Sequence, residues 1–151
     1  MSGAALLVID MQRVYAPGGA WATPGFDRAE ANILRLCRRY PRRLFTRHLP
    51  FSDPPGTWKR YNAEFAGINR DPECARLVPA LEALGHLSFE KQTYSALSSG
   101  ALRAHLLAAD YAEILMTGVQ SEFCVLATLM DAVDLGLPVT PVSYTHLTLP
   151  T

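Results

Sequence analysis

Ile114-Leu115-Met116-Thr117-Gly118-Val119-Gln120-Ser121-Glu122-Phe123-Cys124-Val125 decides the fold of this chain. Ile114 to Thr117 is short and apolar enough for a buried strand, and the Gly and Ser that follow turn the chain into a helix. Strand, turn and helix in that order make the unit of a parallel α/β sheet. Phe123, Leu126, Ala127, Met130 and Val133 recur at steps of three and four, which predicts that they face the core and turns Cys124 towards the helix mouth. Cys124 then lies in the first turn, where unpaired amides favour a thiolate and predict a lowered pKa. Read alone, it is equally a small apolar filler.

Working outward, the same unit repeats. Ala4 to Ile9 is a continuously apolar run that ends in Asp10, the mark of a buried parallel strand. A Gly- and Pro-rich loop from Met11 to Gly25 carries Gln12, Tyr15 and Trp21, which either wall a pocket at the strand's carboxyl end or cap the core. Asp27 with Glu30 reads as a helix start, and Ile33, Leu34, Cys37 and Tyr40 continue it until Pro41. Leu44 to Arg47 is a second strand, leading to His48 and a long loop with Trp58 and Tyr61. Asp71-Pro72 opens another helical stretch that Pro79 breaks. Leu87 to Glu90 is a third strand and ends at Lys91. Ser98 or Ser99 caps a helix carrying Leu102, Leu106 and Ala109, on which His105 is a packed or half-exposed residue. Gly136 ends the helix after Cys124, and Pro138 to Val142 is a fifth strand.

Alternation of this kind predicts a three-layer, Rossmann-like α/β fold with a parallel sheet and helices on both faces. Asp10, Lys91 and Cys124 all follow strand ends, so they meet at the carboxyl edge, where open α/β sheets place their ligands.

Composition narrows the function. The 151 residues suit one core, and 49% apolar against 19% charged excludes disorder. Fourteen basic residues balance fourteen acidic ones, against a nucleic-acid binder. The basic stretch Arg38-Arg39-Tyr40-Pro41-Arg42-Arg43 reads as a solvated helix end. Cys37, Cys74 and Cys124 are odd in number and far apart, so neither a disulfide framework nor a CxxC metal site is expected. The first apolar run is too short for a signal peptide or a membrane span, and the expected compartment is the cytoplasm. A phosphoaspartyl fold would need a second acidic residue near Asp10, where Gln12 stands, and a dinucleotide-binding domain would need a Gly-rich turn there.

Four motifs in order resemble the isochorismatase-like cysteine hydrolases: Val8-Ile9-Asp10-Met11-Gln12, Thr46-Arg47-His48, Lys91 with Tyr94-Ser95-Ala96-Leu97, and Thr117-Gly118-Val119 with Glu122-Phe123-Cys124-Val125. The resemblance implies a triad of Asp10 as base, Lys91 as its charge partner and Cys124 as nucleophile. It also implies an oxyanion site at the amides of Gln120 and Cys124, a cis peptide at Val119-Gln120, and a homo-oligomer. Metal-binding members use an Asp-x-His with a further His, and here Thr46 stands where that Asp would be. His48 alone is a poor metal site, so no metal and no other cofactor is expected.

A family thiol implies a metal-independent amidohydrolase that cleaves a C–N bond of a small amide, carbamoyl or ureido substrate, with no nucleic-acid or membrane partner. Gln12, Tyr15, Trp21, His48, Trp58, Tyr94 and Phe123, with Tyr61, are candidates to contact the substrate. The family pattern runs to about Val139, so residues 1–142 are read as the domain, lacking the family's C-terminal strand and helix. Residues 143–151 are read as a non-native or disordered tail. The competing expectation is a catalytically inactive binding protein of the same fold.

Overall fold

The structure, a computed structural model, describes residues 2–98 and 100–142. Readings that fall on Ser99 and on 143–151 lie outside the described residues. Among the described residues five parallel strands form one sheet: β1 (Ser2–Ile9), β2 (Arg43–His48), β3 (Leu87–Lys91), β4 (Tyr111–Gly118) and β5 (Val139–Pro141). Their order is β3-β2-β1-β4-β5, so the chain works outward from β1 in one direction and then in the other. The reversal between β1 and β4 is the switch point at which such sheets open a crevice.

Alternation along the strands divides the core into two layers. Leu6 and Val8, with Phe45 and Leu115, meet Phe26, Ile33, Leu36 and Cys37 of α1 (Phe26–Arg39). Leu7 and Ile9, with Leu44, Ile114 and Met116, meet α6 (Ala101–Ala109) and α7 (Leu126–Asp134) on the other face. Between β2 and β3 the chain forms only short pieces, α2 (Trp58–Glu64), α3 (Ala66–Asn69), α4 (Pro72–Ala75) and α5 (Pro79–Glu82). Asp71 accepts the Glu73 N–H at 2.9 Å and starts α4, while Pro72 and Pro79 each stand in a first turn. Arg13 ties this segment back with its guanidinium 2.8 Å from Glu73 and its Nε donating to the Leu77 carbonyl. Among the described residues no helix is long and apolar enough to cross a membrane.

Three local expectations fail for identifiable reasons. Helix α1 begins one residue before Asp27, after Gly25 in the left-handed region, and no side chain caps it. Helix α6 likewise starts after Gly100, and the Ser98 hydroxyl is bound to Thr93 instead. The largest difference is the facing of α7. Phe123, Leu126, Met130 and Val133 are about half exposed, whereas Cys124, Val125, Thr128 and Ala132 are buried. Ser121–Val125 is a wide π turn, with Val125 N–H donating to the Gln120 carbonyl five residues back. The extra residue rotates everything after it by about 100° relative to a regular helix from the same start.

The basic stretch from Arg38 to Arg43 is partly structural. Arg43 donates from Nε and Nη2 to the Cys37 carbonyl at 2.9 and 2.6 Å, satisfying a helix-end acceptor.

Candidate active site

Strand registry fixes the site. Ile9 lies opposite Gly118 and His48 opposite Lys91, so the residues that follow these strand ends converge on one edge. Gly118 allows the closest approach, because a Cβ there would fall 2.2 Å from the Ile9 carbonyl oxygen. Its φ of +125° also suits glycine alone. The next peptide, Val119-Gln120, is cis, and the chain then enters the π turn that holds Cys124.

Asp10, Lys91 and Cys124 are brought together. All three are buried, at 0%, 4% and 5% exposure. The Lys91 ammonium lies 3.0 Å from Asp10 Oδ2 and 3.3 Å from Cys124 Sγ, and it donates to the carbonyls of Thr93 and Tyr94 at 2.8 and 2.9 Å. Burial works against the ammonium, but the charge of Asp10, together with the ammonium's contact to the Cys124 sulfur, outweighs it and holds Lys91 above the ordinary lysine value.

Cys124 departs from the lowered pKa expected at a helix start. Burial, reinforced by Asp10, pushes its thiol up to about 12 against the opposing effect of Lys91. The resting group is a thiol, and a partial helix charge at a buried position does not overcome desolvation. Thr128 Oγ1 donates to the Cys124 carbonyl at 2.7 Å and accepts the Ala96 N–H at 3.0 Å, which ties the turn to the loop that follows Lys91.

A cavity of about 360 Å³ opens over Cys124. Tyr15, Trp21, Ala22, His48, Tyr61, Phe65, Tyr94, Gln120 and Phe123 line it together with the thiol. The rings interlock: Tyr15 stacks on Trp21 at 6.0 Å, Phe65 meets Trp21 edge-on at 5.4 Å, and Tyr94 stacks on Phe123 at 5.7 Å. None of these lining residues is an Asp, Glu, Lys or Arg. His48 is pulled below the ordinary imidazole value, first by burial and then by Lys91, so it stands neutral. Burial, then the nearby Asp10 and Cys124, raises Tyr15 well above its usual value and keeps its hydroxyl protonated.

Two residues expected at the substrate lie elsewhere. The Gln12 side chain accepts the His48 N–H at 2.8 Å and donates to the carbonyls of His48 and Ala75 at 3.0 Å each, so it braces the site from behind. Trp58 is absent from the lining and packs behind it, against Tyr61, Tyr94, Phe51 and His48. Conversely, Ala22 and Phe65 line the cavity unforeseen. Phe65 follows Tyr61 by four residues just past the end of α2, a spacing that shares a helix face and carried the signal.

Among the described residues no group of three His, Cys, Asp or Glu could hold an ion, and the Thr46 hydroxyl is committed to Asp10.

The chain matches the isochorismatase domain over residues 4–148. Solved structures of similar fold include a cysteine hydrolase from Pseudomonas syringae pv. phaseolicola 1448A, with TM-score 0.82 and 22% identity over 97% of this chain and 73% of that one. An isochorismatase from Pseudomonas putida KT2440 aligns with TM-score 0.76 and 26% identity over 95% of this chain and 70% of that one. The N-carbamoylsarcosine amidase of Thermoplasma acidophilum aligns with TM-score 0.76 and 19% identity over 100% of this chain and 87% of that one. No curated protein sequence matches the chain. The match over nearly the whole length, with a fold to suit it, places the chain in the isochorismatase family, and the protein is a hydrolase.

Proposed function

We propose that the protein is a metal-independent cysteine amidohydrolase acting on a small, uncharged amide or urea. The observation that carries this reading is the contact of one buried ammonium with both a carboxylate and a thiol, 3.0 and 3.3 Å away, at the foot of a cavity.

The steps follow from the groups present. Cys124 sulfur attacks the carbonyl carbon, the C=O π pair moves to oxygen, and the S–H proton passes to Asp10 Oδ2. Because the thiol begins protonated, transfer to Asp10 accompanies attack, and Lys91 stabilises the sulfur as its negative charge develops. The amides of Gln120 and Cys124 are assigned to the oxyanion. Collapse restores C=O and breaks C–N, with the nitrogen taking the proton from Asp10 and leaving as amine or ammonia. Water then attacks the thioester, gives a proton to Asp10, and the departing sulfur recovers it.

Substrate class follows from the walls. Lys91 is engaged by Asp10, by Cys124 and by two carbonyls, and His48 is neutral, so a substrate carboxylate would be desolvated with no cation facing it. A flat apolar acyl group fits the stacked rings.

The test is ammonia or amine release across paired neutral and carboxylate-bearing amides and ureas, with a chelator present and absent. We expect a neutral member to turn over, unchanged by chelator, with a loss of about 10³-fold or more in Cys124→Ala. Acid quenching should trap an acyl adduct on the Cys124 peptide. Wild-type rates in Cys124→Ala, or no release and no adduct with any amide, would sink the reading.

A further inference from the structure

Thr46 sits in the otherwise apolar run Leu44-Phe45-Thr46 of β2, at 1% exposure. A valine of the same shape would suit such a strand interior, so the hydroxyl requires an explanation. Its two hydrogen bonds supply one. Thr46 Oγ1 accepts the N–H of Asp10 at 3.1 Å and donates to Asp10 Oδ1 at 2.7 Å. A single hydroxyl can accept and donate at once; valine can do neither.

Asp10 needs both bonds. It has φ of +52°, a left-handed conformation unusual for a residue other than glycine, and it is wholly buried. Its N–H finds an acceptor in Thr46, which anchors this backbone. The carboxylate oxygens are also made unequal. Oδ1 is occupied by Thr46, whereas the buried Oδ2 faces the Lys91 ammonium 3.0 Å away. Without the Thr46 donor the plane of the carboxylate is free to turn about the Cβ–Cγ bond, and neither oxygen is then held on the line to Lys91.

We propose that Thr46 is a positioning residue of this site, holding Asp10 at backbone and Oδ1 so that Oδ2 alone is presented to Cys124. The inference rests on the reading of Asp10 as base to Cys124. Thr46 does not line the cavity, so its effect belongs in the chemical step and not in substrate binding.

The test compares Thr46→Val, Thr46→Ala and Thr46→Ser in the full chain. Two readouts serve: kcat and KM on the amide turned over by the wild type, and the rate of iodoacetamide alkylation followed on the Cys124 peptide. Val and Ala should lower kcat by about tenfold or more with KM held within about twofold, and should slow alkylation by a similar factor. Ser should restore both to within about threefold. If Thr46→Val fails to fold, the Ala and Ser variants still differ only in the hydroxyl. Equal kcat and equal alkylation in Ala and Ser would overturn the role of Thr46, while Cys124-dependent turnover left the site reading intact. A wild type that neither turns over amides nor alkylates at Cys124 would remove the base assignment, and this proposal with it.

Discussion

Lys91 is a lysine that the fold has almost removed from water, and such a charge persists only with partners. Asp10 and Cys124 supply them, against a burial effect that works the other way. Replacing Lys91 by Met keeps the volume and leaves the Asp10 carboxylate buried with Thr46 as its remaining donor. We expect a loss of about 3–5 kcal/mol in urea unfolding, with most of it recovered in Asp10→Asn/Lys91→Met, where neither charge remains. A single variant as stable as wild type would contradict the ion pair's place in the fold. The three side chains were legible in the sequence because each stands at or shortly after the end of a strand and belongs to one of the four motifs. The protonation state of Cys124 was not. A helix start argues for a thiolate, and only the packed surroundings reveal that desolvation and Asp10 outweigh it.

At the level of elements, the passage from β4 to α7 concentrates the constraints. Gly118 approaches Ile9 so closely that any Cβ must displace backbone, and its φ lies where side chains are strained. Gly118→Ala should therefore destabilise the protein by about 2 kcal/mol or more and disturb the Ile9 end of β1 beside Asp10. Thermal melting with hydrogen exchange at Val119 checks this, since its N–H donates to the Ile9 carbonyl at 3.0 Å. Unchanged melting and protection would refute it. Existence and type of this helix were plain from its periodicity, but its rotation was not. Phe123, Leu126, Met130 and Val133 form one apolar row and Val125, Thr128 and Ala132 lie on another side, and a π turn at Ser121–Val125 determines which side meets the sheet.

For the molecule as a whole, the order β3-β2-β1-β4-β5 collects Asp10, His48, Lys91 and Cys124 at one edge from segments far apart in sequence. His48 makes that assembly sensitive to acid. Its folded pKa is lowered, by burial first and Lys91 second, so below about pH 6.5 the unfolded chain binds a proton that the folded one resists. This contribution to stability is complete above that pH and declines as pH falls through the window down to the lowered folded value. His48→Gln should melt with a shallower loss between pH 7.5 and 5 than the wild type; parallel curves would contradict a neutral, buried imidazole. The parallel sheet was readable from alternating apolar runs and Tyr61 was a candidate for the cavity wall, whereas Phe65 was signalled by nothing but its spacing of four from Tyr61, because α2 and α3 bury no residue. Among the described residues β3 is an edge strand, paired only with β2, and Lys91 is its one buried residue. Fraying of that edge under mild heat would withdraw the cation while leaving the four remaining strands assembled, so such molecules would still give a native spectroscopic signal yet be silent in an assay.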